Sequence, residues 1–178
     1  MAWTAPMTAV DNTIWTSSQW NTHVRDNLLE TMAGKATTAG RWFVSTGANA
    51  IAERVITQAS VTTSQTTTSA SFTDLATTGP AVTVTTGTKA IVFWGAAMSH
   101  SSANATCQVG VGISGATTTA ASTSYQLLLD GVAASSTWRM NTFYVPTLTA
   151  GSNTFTLKYA TSTATATFSN RYIAVIAL

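Results

Sequence analysis

Beyond residue 55 the chain alternates apolar and polar residues with a period of two. The clearest run is 154–159, where Phe155, Leu157 and Tyr159 interleave with Thr154, Thr156 and Lys158. That is the pattern of a strand with one buried face. Related runs lie at 81–84 before Thr86-Gly87, at 91–94, at 125–129, at 138–147 and at 165–178. Together they predict about seven to nine strands with turns every ~8 to 15 residues, the pattern of an antiparallel sandwich or jelly roll. Asp130-Gly131 reads as the turn of a hairpin joining 125–129 to 138–147.

The first part of the chain has a different period. Thr16 and Gln19 stand at capping-box spacing, and Trp20, Val24, Leu28 and Met32 recur every four residues. Arg25, Asp26 and Glu30 fall on the polar side, and Gly34 supplies a stop. These signals predict one helix over about 17–33. A single apolar stripe on so short a helix must pack on its own domain, on symmetry mates or on a larger assembly.

Two strands, 91–94 and 172–178, are apolar on both faces, whereas one face of an antiparallel sandwich is ordinarily polar. Either a loop covers them or they are buried between subunits. Ile91, Phe93, Trp94, Tyr172, Ile173, Val175 and Ile176 are therefore the candidate subunit interface.

Charge sharpens the division into two parts. Of 178 residues only 8 % are charged, against roughly 25 % in ordinary domains, while Thr occupies 37 positions and Ala 29. Residues 1–54 hold eight of the fourteen charges, and the 124 residues from 55 onward hold six. The expected organisation is a docking segment, 1–54, followed by a β domain, 55–178. With so little charge, the β surface has mainly Thr and Ser to meet water, which favours an oligomer. Trp3, Trp15, Trp20 and Trp42 crowd into the first segment. They either anchor it to another surface, as Trp does at interface hot spots, or close the base of the β domain.

Several function classes receive no support. A net charge of +2 is too small and scattered for a nucleic-acid surface, and the longest apolar stretches, such as 173–178, are too short for a membrane helix. The opening residues have neither a basic start nor an apolar core, so no secretory signal is expected. Residues 110–115 match G-x-G-x-x-G, but ATTTAASTS follows instead of a helix. Glycines on one strand face point to close approach of backbone or an aromatic ring. His23 and His100 lie far apart with no acidic neighbour at ligand spacing; His100 reads as a loop residue that a threefold axis could gather around an ion. Asp74 and Asp130 read as turn residues, no G-x-S-x-G elbow occurs, and Cys107 reads as a buried, inert thiol. No enzyme, metal or cofactor is expected.

Four stretches carry a resemblance: TAVDNTIWTSSQWNTHVRDNLLETM, KATTAGRWFVSTGANAIAER, SQTTTSASFTDLATTGPAVTVTTGTKAIV and LTAGSNTFTLKYATSTATATFSNRYIAVIAL. They resemble small structural proteins of tailed bacteriophages and prophages of actinobacteria, with 24–28 (VRDNL) the most specific piece. The resemblance implies a non-enzymatic virion component assembled in the bacterial host cytoplasm. On this reading the β domain is a trimeric jelly roll and the protein is a capsid decoration protein or short head fibre. Its partners would be copies of itself and the phage major capsid protein or a tail component. Trp3, Trp15, Trp20, Val24, Arg25, Asn27 and Leu28 would carry docking and helix packing, with Asn27 setting register. The alternative is a tail-fibre or minor tail protein whose β domain binds a host receptor or surface glycan.

Overall fold

The computed structural model describes residues 4–5, 7–8 and 14–178. Two compact units divide the chain, Met1–Val55 and Ile56–Leu178.

In the first unit the capping box forms. Thr16 Oγ1 accepts from Gln19 N at 3.2 Å while Gln19 Oε1 accepts from Thr16 N at 2.8 Å. The helix is nevertheless not one rod over 17–33. α1 (Ser17–Trp20) passes through a π-turn, Asn21–Arg25, into α2 (Asp26–Leu29), and Thr31 restarts the helix as α3 (Met32–Lys35). The cause is the Thr31 hydroxyl, which donates to Leu28 O at 2.7 Å and accepts from Gly34 N at 3.2 Å. One side chain thus serves an exposed carbonyl of the ending helix and an amide of the next. Gly34 is not the stop. It lies inside α3, where a Cβ would sit 2.8 Å from Leu28 O and the Leu29 backbone.

A hairpin absent from the sequence reading follows, β1 (Trp42–Gly47) with β2 (Ala50–Arg54). Asn49 turns it in the left-handed region at φ 55°, which Asn tolerates better than most residues. The Glu53 carboxylate accepts from Thr37 Oγ1 at 2.8 Å and from the Thr37 and Thr38 amides. These hydrogen bonds, Thr37's foremost, hold its pKa below the usual carboxylate range.

The second unit is a β-sandwich of nine strands: β3 (Ile56–Val61), β4 (Gln65–Thr67), β5 (Ala81–Thr86), β6 (Ala90–His100), β7 (Cys107–Gly115), β8 (Leu127–Leu129), β9 (Trp138–Tyr144), β10 (Gly151–Thr161) and β11 (Ala166–Ala177). One sheet runs β5-β10-β7-β8. The other runs β3-β11-β6-β9, with β4 beside β11. Every pair is antiparallel, and strands distant in sequence, such as β5 and β10 or β3 and β11, lie side by side. This interleaving is jelly-roll topology.

Asp130-Gly131 does not close a hairpin. β8 pairs with β7 and β9 with β6, so this turn carries the chain from one sheet to the other. Gly131 does have the expected positive φ, 68°, so the dipeptide marked a turn but not its partners.

The core lies between the sheets, where Trp94, Phe155, Leu157, Tyr159, Phe168, Ile173 and Val175 are fully buried. Outward threonines pair across strands, as Thr83 and Thr154 do through their hydroxyls at 2.8 Å. The register of β11 against β6 slips by one residue between Ser169 and Tyr172, around Asn170 at φ 46°. That bulge changes which residues point inward: Ala166 and Phe168 before it, Arg171, Ile173, Val175 and Ala177 after it.

Candidate functional site

Alternation along β6 and β11 divides the seven residues expected at a subunit interface. Trp94, Ile173 and Val175 point into the sandwich core, which corrects their assignment to an outer surface. Ile91, Phe93, Tyr172 and Ile176 point outward. The register sets them in rows across the sheet. Ile176 stands between Ile56 and Ile91; Ala174 between Gln58 and Phe93, with Phe143 next to Phe93; Tyr172 between Ser60 and Gly95. These rows carry no charged residue. Phe143 is 61 % exposed and Ile56 57 %. The Phe93 and Phe143 rings touch with centroids 5.6 Å apart. The Tyr172 ring crosses the sheet over Gly95, where a Cβ would lie 2.6 Å from it.

Ile56 and Phe143 belong to this face but were not picked out from the sequence. The signal for Phe143 was present in the apolar run Phe143-Tyr144-Val145, which cannot be hidden on one side of a strand.

The docking residues of the first unit are placed as follows. Trp3 lies outside the described residues, as does the Met32 side chain. Trp15 and Trp20 rings meet at 5.0 Å, and Trp20 remains 54 % exposed. Leu28 is 61 % exposed, Val24 is half-buried, and Arg25 pairs with Asp26 at 2.8 Å. Asn27 is buried, and its amide is engaged within the chain. Its oxygen accepts from Thr4 N at 3.0 Å, and its nitrogen donates to Thr4 O at 2.9 Å and His23 O at 3.1 Å. It ties Thr4 to the helix.

The remaining candidates for chemistry are structural. His100 is not in a loop; it ends β6, buried, which keeps its ring from any symmetry axis. Among the described residues, no three His, Cys, Asp or Glu gather as a metal cluster, and no helix is long and apolar enough to cross a membrane. Gly110 in the glycine run faces Phe72, whose ring would be 3.0 Å from a Cβ there. This is an aromatic ring on a strand, with no helix to meet a phosphate.

Cys107 is fully buried, its Sγ 3.1 Å from Ser99 O, and burial pushes its pKa up to about 11. In the folded protein it should resist a thiol reagent that labels one thiol per chain after unfolding, as mass spectrometry would show. Rapid labelling at neutral pH without loss of structure would contradict its placement.

Arg171 is the one buried cation among the described residues. It donates to Gly79 O at 3.3 Å, Thr63 O at 3.4 Å and Gln65 Oε1 at 2.9 Å, and stands 5.3 Å over the Tyr159 ring. Tyr159 OH donates to the same Gly79 carbonyl at 2.8 Å. This network ties β11 to Thr63, to the first residue of β4 and to Gly79.

The fold has counterparts among solved structures. It is similar to a chain in the structure of infectious bursal disease virus Gx strain, with TM-score 0.51 and 11 % identity over 75 % of this chain and 36 % of that one. It is also similar to infectious bursal disease virus VP2 in a subviral particle, at TM-score 0.46 and 11 % identity over the same shares. The likeness is one of fold. This chain spans about a third of the length of those proteins. No protein-family model matches it, and no curated protein matches it.

Proposed function

We infer that this chain is a non-enzymatic structural component of a virion, self-associating as a homotrimer through the outer face of the β3-β11-β6-β9 sheet. The observation that carries the reading is that face: a jelly roll with Ile56, Phe93 and Phe143 turned to solvent and no charge among them. A contiguous apolar patch of this kind marks an interaction surface. A closed homo-oligomer buries it identically in every subunit. The likeness to a bursal disease virus chain supports the virion setting. The exposed Trp20 and Leu28 of the first unit fit docking on a capsid or tail partner, and the finer form of the reading is a decoration protein or short head fibre.

Light scattering of the full chain at micromolar concentration tests the assembly. A multiple of the 18.5 kDa chain mass is expected, about three-fold for a trimer. The double variant Phe93→Asp, Phe143→Asp should give the single-chain mass with an unchanged far-ultraviolet spectrum. A wild-type monomer would overturn the assembly. Copy number and position in a particle reconstruction test the setting: many copies over the shell support decoration, and a few at the tail place it there instead.

A further inference from the structure

A second feature lies away from the apolar sheet face. A cleft of about 340 Å³ opens between the two sheets, walled by β7 on one side and the end of β9 on the other. Val111 and Ile113 supply an apolar floor, and the loop around the 3₁₀ turn Thr123–Tyr125 closes one side. Its aromatic element is rigid. Tyr125 stacks on Tyr144 at 5.0 Å and 17°, and Tyr144 meets Trp94 edge-on at 5.5 Å. Tyr125 nonetheless stays 60 % exposed, so a large ring is held in place with much of its surface open to solvent.

The polar side chains of the cleft are all hydroxyls, from Thr119, Ser122, Ser124, Tyr125, Tyr144 and Thr147. Among the described residues none of these six makes a side-chain hydrogen bond to protein. Thr and Ser side chains elsewhere commonly do, as at Thr83–Thr154 and Thr37–Glu53. Burial first and Tyr125 second push the Tyr144 pKa up to about 12. The wall that carries Thr119 is itself fixed. Thr119 and Ile113 exchange backbone hydrogen bonds at 2.8 and 2.9 Å, and the Thr117 amide donates to the buried Asn153 Oδ1 at 2.7 Å.

A stacked aromatic ring, an apolar floor, a rim of neutral hydroxyls and no charged side chain select a particular ligand chemistry. The ligand should present an apolar C–H face to the ring and several hydroxyls to the rim, without net charge. We propose that this cleft binds a neutral pyranose, as a free sugar or the terminal unit of a glycan. The volume lies near the lower end of the roughly 300–1,000 Å³ of small-molecule sites, so one or two sugar units fit. The site is preorganised, which reduces the ordering cost of binding. An exposed, hydroxyl-rich cleft that water also fills should bind weakly, with Kd of about 1 mM. The cleft adjoins the assembly face at Tyr144 and Val145 but its lining includes none of Ile56, Phe93 and Phe143, so a monomeric protein would overturn the assembly without removing the cleft.

Saturation-transfer nuclear magnetic resonance on the full chain is the test. The probes are the methyl glycosides of galactose, glucose, mannose and N-acetylglucosamine, with N-acetylneuraminic acid as the charged comparison. At least one neutral glycoside should receive saturation at its ring C–H protons. Tyr125→Ala should abolish that signal, or weaken binding at least tenfold, with the circular dichroism of the parent. Ser124→Phe, which fills the cleft but keeps both tyrosines, should do the same. Trp138→Ala, which removes an exposed aromatic outside the cleft, should leave the signal intact. The proposal fails if no neutral glycoside binds, if only the charged sugar binds, or if binding survives both cleft variants.

Discussion

Arg171→Ala is expected to destabilise the β unit by roughly 3–5 kcal/mol. The substitution empties the space of a fully buried side chain and withdraws the donors that serve Gly79 O, Thr63 O and Gln65 Oε1. A buried acceptor left without its donor costs about 1–3 kcal/mol, and the cavity adds to that. Gly79 O keeps Tyr159 OH, Gln65 Oε1 keeps the Thr77 amide at 3.2 Å and Thr63 is open to water, so the hydrogen-bond loss is partial and most of the cost comes from the vacated space. Against a total of about 5–15 kcal/mol for a domain, the change is large. Urea unfolding checks it: the midpoint should fall while the slope stays near the parent's. Arg171→Lys should recover only part of the loss, since a point charge cannot replace a fork of donors to three acceptors. A midpoint like the parent's in Arg171→Ala would show that the arginine contributes nothing net.

Trp94→Ala should cost about as much, roughly 3–5 kcal/mol, for a different reason. Trp94 belongs to one sheet and donates from its indole nitrogen to Val109 O of the other at 3.3 Å. Its ring also props Tyr144 edge-on. The alanine variant therefore opens a void between the sheets and frees a buried carbonyl. Trp94→Phe keeps most of the filling and should lose about 1–2 kcal/mol. Thermal unfolding with near-ultraviolet circular dichroism measures both. Equal midpoints for the two variants would contradict the sheet-bridging role. Because Tyr144 steadies Tyr125, Trp94→Phe should also loosen the cleft, visible as weaker saturation transfer.

What could be read along the chain depended on whether the signal was local. Phe155, Leu157 and Tyr159 were recognisable as inward residues because a strand's own pleat dictates the alternation. The capping box at Thr16 and Gln19 was equally legible, since both partners lie within one turn. Asp130-Gly131 was not, because pairing of β8 with β7 is decided by hydrophobic contacts across the sandwich rather than by the turn. The helix break at Thr31 went unseen because a four-residue apolar spacing continues straight through it. At the candidate interface, the sequence showed that 91–94 and 172–178 were apolar on both faces. It could not show which residues faced out, since the bulge at Asn170 resets the count within β11. The cleft had no sequence signature at all. Its hydroxyls come from separate loops and the end of β9, in a chain where Thr and Ser are common everywhere.

The two-faced apolarity of β11 has a consequence for how the strand finds its alignment. A strand with one oily side rejects a one-residue slip, because the slip would turn that side to water. Past the bulge, β11 offers Ile173, Val175 and Ala177 on one side and Tyr172, Ala174 and Ile176 on the other, so hydrophobicity hardly distinguishes the two alignments. Arg171 does. In one alignment its guanidinium reaches three acceptors and an aromatic face; shifted by one, it loses them and Asn170 or Tyr172 takes its place. Arg171 thus favours one alignment of the final strand, and single-residue insertions or deletions near Asn170 should be penalised for that reason.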